Sequence, residues 1–280
     1  MLRLLDNVIR SATTDDRLVT LARTLRIASP LKWLEYRIRG PNDGVVRHNV
    51  LGVEVLFSAP NATQFRTVEQ YYAIDETDFL TALYAKLWNG GVCYDVGSNC
   101  GQFVIPLAKV VGQFGQVIAF EPHPGNYERL ARNIELNQLG NVRVFGIALG
   151  DRECETDLFG AWETATIVPR AAAWHGSKPF GKTMVARGDE FRQTAGLPVP
   201  KAVKIDVEGA EYAVLQGLLE TLSNPICELL CCEIHPPFLT SGVSPEMIVA
   251  LVGSLGFKRI HSRARGSEIH LIAEKVPAQH

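Results

Sequence analysis

Three groups of residues have types and spacing suited to chemistry. The first is Asp95-Val96-Gly97-Ser98-Asn99-Cys100-Gly101, an acid that runs into a glycine turn. Glycine lacks a Cβ and tolerates unusual dihedrals, so a ligand can touch bare backbone there. A helix beginning after the turn would aim its amide groups into the same space. The second is Phe120-Glu121-Pro122, where an acid closing a strand could accept both hydroxyls of a ribose. The third pairs Lys204-Ile205-Asp206-Val207-Glu208-Gly209-Ala210-Glu211 with Glu233-Ile234-His235-Pro236. Asp206, Glu208, Glu233 and His235 are candidates for taking a proton, and an ordinary imidazole titrates near neutral pH. A carboxylate could instead orient the imidazole or hold a divalent cation. Ile147 and Ala148 could face an adenine, with Asp151 nearby for its amino group.

An open parallel sheet would gather these groups, because ligands bind beyond the carboxyl ends of its strands where strand order reverses. Residues 76–88 place Phe79, Leu80, Leu83, Tyr84 and Leu87 on one helical face, with Asp75 as N-cap. Strands are expected at 92–96, 116–120, 142–147, 203–206 and 229–234. Helices are expected at 103–111, 124–138, 210–222 and 245–255. Residues 257–261 and 268–273 lie too close for a helical crossover and must pair antiparallel. The fold class is therefore α/β: a Rossmann-like, doubly wound, seven-stranded, mostly parallel sheet with one antiparallel strand from a C-terminal hairpin. Residues 150–200, with Trp162, Trp174 and His175, break the rhythm and read as an insertion. Residues 1–70 read as a helical and β-hairpin extension, with Leu2, Leu5, Val8 and Ile9 at helical spacing, and residues 71–280 as the main domain.

The chain has 280 residues, 46% of them apolar, and a formal net charge of −2. That balance gives no general attraction to nucleic acid or acidic membranes. No apolar run is long enough to span a bilayer, although an N-terminal helix lying on a membrane surface stays open. The six cysteines form no Cys-x-x-Cys pair and several sit in apolar runs, which points to a reduced, cytoplasmic protein. Cys231, Cys232 and His235 read as a strand end rather than a zinc site. Oligomeric state is not written in the sequence.

The glycine turn, Phe120-Glu121-Pro122, Ala148-Leu149-Gly150-Asp151, the stretch from Lys204 to Glu211 with Val214-Leu215-Gln216-Gly217, and Glu233-Ile234-His235-Pro236 together resemble the FkbM-type family of class I methyltransferases. Ser98 and Cys100 depart from that family's usual Ala and apolar residue. The resemblance implies S-adenosylmethionine as cofactor, held by Asp95, Gly97, Ser98, Asn99, Gly101, Glu121, Ile147, Ala148 and Asp206. It implies O-methylation of a hydroxyl on a glycan, glycolipid or secondary metabolite. His235, Glu208, Asp206 and Glu233 are the catalytic candidates, and no metal is predicted. Two alternatives remain at this point: a nicotinamide-dependent oxidoreductase, since Glu121 could equally hold an NAD ribose, and a non-catalytic binding domain on the same scaffold. Lys204 and Glu211 read as solvated neighbours of the motif.

Overall fold

The structure is a computed structural model that describes residues 28–71, 77–160 and 165–276. It divides into two units, residues 1–76 and 77–280. In the first, helix α1 (Ala28–Arg39), strands β1 (Val45–Val50) and β2 (Val53–Ser58) and helix α2 (Ala62–Tyr71) follow one another. The strands form an antiparallel hairpin. Val55 and Phe57 are fully buried, and Tyr36 meets Phe65 edge-on at 5.7 Å. Leu2, Leu5, Val8, Ile9, Asp75 and Trp162 lie outside the described residues.

The second unit opens with helix α3 (Thr77–Leu87), whose five expected apolar residues are all buried. Strand β3 (Gly91–Val96), helix α4 (Val104–Val111), strand β4 (Gly115–Phe120), helix α5 (Pro124–Leu136) and strand β5 (Val142–Phe145) follow. Pro106 falls in the first turn of α4, where its missing N–H leaves no hydrogen bond unmade. Next come β6 (Ala148–Gly150), β7 (Cys154–Phe159), helix α6 (Pro169–His175), β8 (Pro179–Arg187) and helix α7 (Gly188–Thr194). The alternation resumes with β9 (Ala202–Ile205), helices α8 (Glu211–Gly217) and α9 (Leu219–Ser223), β10 (Leu229–Ile234) and helix α10 (Pro245–Ser254). It closes on β11 (Arg259–Arg265) and β12 (Glu268–Glu274).

Among the described residues, seven strands form one sheet in the order β11-β12-β10-β9-β3-β4-β5. The β10-β9-β3-β4-β5 run is parallel, and β12 pairs antiparallel with both β10 and β11. Every residue of β9 and β10 is buried, as a sheet covered on both faces requires. Tyr94, Ile118, Phe120, Val203, Ile205, Leu230 and Ile234 centre the core. The chain winds outward from β3 through β4 to β5, then returns to β9 and β10 on the other side. The order therefore reverses between β3 and β9.

Two expectations need correction. Strand β5 ends at Phe145, and Ala148–Gly150 joins a separate three-stranded sheet, β6-β8-β7, built from the stretch read as an insertion. The helix expected at 210–222 is two short helices, because Leu218 between them leaves helical geometry at φ −113°, ψ 24°.

Candidate functional site

The β3–β9 switch point carries an open cleft, about 800 Å³ when the space continuous with solvent is included. Gly97, Ser98 and Asn99 line one side, Glu121, Ile147 and Ala148 another, and Lys204, Asp206 and Glu208 a third. Gly97 sits at φ +83°, and a Cβ there would lie 1.7 Å from the Asp206 carbonyl oxygen. Only glycine lets the two strand ends converge in this way.

The loop is held from the next strand. Gly97 and Ser98 both donate their N–H to the Phe120 carbonyl, at 3.0 and 3.1 Å. The Asn99 N–H donates to Glu121 Oε2 at 2.7 Å, and the His123 N–H to Glu121 Oε1 at 2.9 Å. The amides of residues 97–99 are thus spent inside the protein rather than aimed at a ligand, and what the loop offers the cavity is shape. Glu121 is 4% exposed, and burial pushes its carboxyl up to about 7. Its carboxylate also takes a hydrogen bond from the Asn126 side chain and lines the cavity.

Asp95 and Gly101 do not line the cavity. Asp95 is fully buried at the end of β3. Its nearest cation is Lys204 Nζ, 3.6 Å from Oδ1, and burial raises its carboxyl to about 6. Gly101 serves packing: a Cβ there would meet Leu130 Cδ1 at 2.7 Å. Asp151 is exposed and also absent from the lining.

Lys204 and Glu211 are the residues whose importance the sequence reading missed. Lys204 is 2% exposed and lies over the Phe103 ring at 4.6 Å, with Asp206 Oδ2 at 3.2 Å. Burial works against its charge, but Asp206 and Asp95 outweigh it and hold the ammonium charged. Glu211 is fully buried, and its Oε1 accepts from the Gly209 N–H at 2.9 Å and from His235 Nδ1 at 2.7 Å. A charge placed in two otherwise apolar stretches was the available signal, since a charged side chain is seldom buried unless paired.

The Glu211 contact fixes the His235 ring, turning Nε2 toward Asp206 Oδ1 at 3.9 Å and Glu208 Oε1 at 3.8 Å. Burial lowers the His235 pKa, yet Glu211, Asp206 and Glu208 more than reverse it, taking the imidazole up to about 10. The carboxylates around His235 thus favour its imidazolium form. Glu208 stands at φ +53° on the turn before α8. Burial pushes its carboxyl up to about 8, against the lowering effect of His235. His175 Nε2 lies 3.6 Å from its other oxygen. Asp206, Glu208 and His235 each present a ligand-type atom within 4.8 Å of the others.

Glu233 also comes within 4.8 Å of His235, together with Glu268, but its ion pairs lie elsewhere. It does not line the cavity, and its Oε1 lies 3.5 Å from His270 Nε2 and 3.4 Å from Arg265 Nη1. Burial would raise its pKa, but His270 and its neighbours hold it well below the usual carboxylate range. A carboxylate so stabilised is a poor proton acceptor.

No helix among the described residues is long and apolar enough to cross a membrane. The curated relatives that the chain resembles include two methyltransferases. It is 27% identical over 191 residues to the hexuronic acid methyltransferase AglP of Haloferax volcanii, covering 67% of this chain and 73% of that one. It is 25% identical over 239 residues to methyltransferase sdnD of Sordaria araneosa, covering 69% and 88%. In structure it resembles a methyltransferase FkbM from Methylobacillus flagellatus, with a TM-score of 0.50 at 14% identity. That match covers 96% of this chain and 57% of the other, and it bears on the fold alone. The model of the methyltransferase FkbM domain matches residues 95–259, well over half of the sequence and all of the motifs described above. The nicotinamide reading is thereby set aside: this chain belongs to the FkbM methyltransferase family.

Proposed function

We propose that the protein transfers a methyl group from S-adenosylmethionine to a hydroxyl oxygen of a sugar-containing acceptor, with Glu208 taking the hydroxyl proton. The observation that carries this reading is the state of Glu208. It is a carboxylate on the cavity rim, pushed up to about 8 by burial and flanked by two imidazoles. A base works best when its pKa lies near the working pH.

The residues fit the donor. The Gly97 backbone makes a cradle that a Cβ would fill, and Glu121 can accept from a ribose diol across the loop. Ile147, Ala148 and Leu149 give the cavity an apolar side suited to an adenine. When bound, S-adenosylmethionine supplies a methyl group on a positively charged sulfur, open to in-line displacement by an aligned oxygen. The protein's own work is alignment and exclusion of water, which can lower such a barrier substantially. Asp206 and the charged Lys204 beneath it set the field of the cavity floor. The His235 imidazolium, fixed by Glu211, stabilises the ionised form of Glu208. The acceptor proton passes to a Glu208 oxygen as the new C–O bond forms.

A sugar acceptor is supported by the hexuronic acid methyltransferase among the relatives, and a net charge of −2 favours such an acceptor over nucleic acid. The test is incubation with S-adenosylmethionine and a panel of methyl glycosides, read by mass spectrometry. A one-methyl gain on oxygen supports the reading. S-Adenosylmethionine binding with no methyl transfer to any hydroxyl in the panel would overturn it.

A further inference from the structure

Trp174 is 70% exposed and is followed by His175, whose Nε2 lies 3.6 Å from Glu208 Oε2. It stands near the end of α6, whose Ala171 and Ala172 are buried and anchor the helix. The Val168 N–H, just before α6, donates to Thr166 Oγ1 at 3.0 Å, and Thr166 Oγ1 donates to the Glu208 carbonyl at 3.3 Å. The helix that carries Trp174 is thus tied to the backbone of the proposed base.

A ring ladder makes the same connection through side chains. Trp174 meets Phe238 edge-on at 5.9 Å, and Phe238 stacks on the His235 ring at 5.9 Å with 11° between planes. His175 meets Phe238 at 5.1 Å while its Nε2 faces Glu208. Phe238 packs closely on Gly209, where a Cβ would come within 2.7 Å of it. Trp174 therefore offers an exposed aromatic ring in contact with Phe238, next in sequence to the His175 that faces Glu208.

We infer that Trp174 is a stacking platform for the pyranose ring of the acceptor, and that His175 helps orient the hydroxyl presented to Glu208. A sugar ring has C–H groups on its faces and hydroxyls around its rim. A single aromatic plate beside a carboxylate and an imidazole matches that pattern. An extended apolar acceptor would call for a continuous apolar lining instead. The inference rests on the methyltransferase reading above and adds the site that selects the acceptor.

The experiment uses the full chain saturated with S-adenosylhomocysteine and a panel of methyl glycosides of hexoses, 6-deoxyhexoses and hexuronates. Binding is followed by saturation-transfer NMR and S-adenosylhomocysteine affinity by calorimetry. At least one glycoside should bind, with its ring C–H protons receiving the strongest transfer. Trp174→Ala should weaken that binding about tenfold or more and Trp174→Tyr should restore most of it, both leaving S-adenosylhomocysteine affinity unchanged. If Trp174→Ala binds the glycoside as well as the native chain does, the platform is overturned while the methyltransferase reading stands. The sugar assignment is likewise overturned if no glycoside binds, or if only an apolar probe such as a long-chain alcohol binds through Trp174. Failure of the native chain to bind S-adenosylhomocysteine would instead defeat the underlying reading.

Discussion

Gly97 and Asp206 close the switch point of the sheet against each other, with room for no atom between the Gly97 Cα and the Asp206 carbonyl. Gly97 opens the loop after β3 and Asp206 opens the turn after β9, so any displacement of one is passed to the other. Gly97→Ala combines a backbone clash with a positive φ, and should cost about 2–4 kcal/mol of stability. It should also abolish S-adenosylhomocysteine binding. Urea denaturation and calorimetry would check both. An alanine variant that binds normally would show that the close approach is not needed.

Acid titration should report the buried carboxylates behind the loop. Burial raises Asp95 to about 6 and Glu121 to about 7, so the folded chain binds more protons than the unfolded one between those values and the ordinary carboxylate range. Their contribution is fully present below about pH 4 and is lost as pH rises through about 6 to 7. The stability of the native chain relative to Glu121→Gln should accordingly fall between about pH 5 and about pH 8. Urea midpoints at the two pH values measure it, and a rise would contradict the assignment.

Much of this was legible in the residues. Strands β3, β4, β9 and β10 announce themselves as short apolar runs ending in Asp, Glu or Gly, and the closing hairpin follows from the short link between β11 and β12. Side-chain engagement was not legible. Nothing local separates Glu233, locked to His270 and Arg265, from Glu208, which is free to face the cavity. The burial of Lys204 and Glu211 depends on partners supplied by other elements. The short sheet β6-β8-β7 was hidden because its strands are mostly half-exposed and lack a continuous apolar run.

A Glu208 base predicts a rate that climbs with pH. Only the ionised carboxylate accepts a proton, so kcat should rise about tenfold per pH unit below about 8 and level off above it. Glu208→Gln should lower kcat by about 10²–10⁴ and leave S-adenosylhomocysteine affinity within about threefold. A flat pH profile would remove Glu208 from the role.

His235 should stay protonated up to about pH 10 in the native chain. Its ring signals in NMR would be constant through neutral pH. Glu211→Gln removes the main source of that stabilisation and should bring the titration down. Breaking this buried pair should also cost about 3–5 kcal/mol. A native His235 that titrates near its ordinary value would contradict the derived geometry.

Calorimetric titration of the full chain with S-adenosylhomocysteine is the most direct measurement. A single saturable site in the micromolar range, lost in Gly97→Ala and weakened in Glu121→Ala, is the predicted result. No heat of binding at millimolar ligand, or binding indifferent to both substitutions, would contradict a methyl-donor site at the junction of β3, β4 and β9.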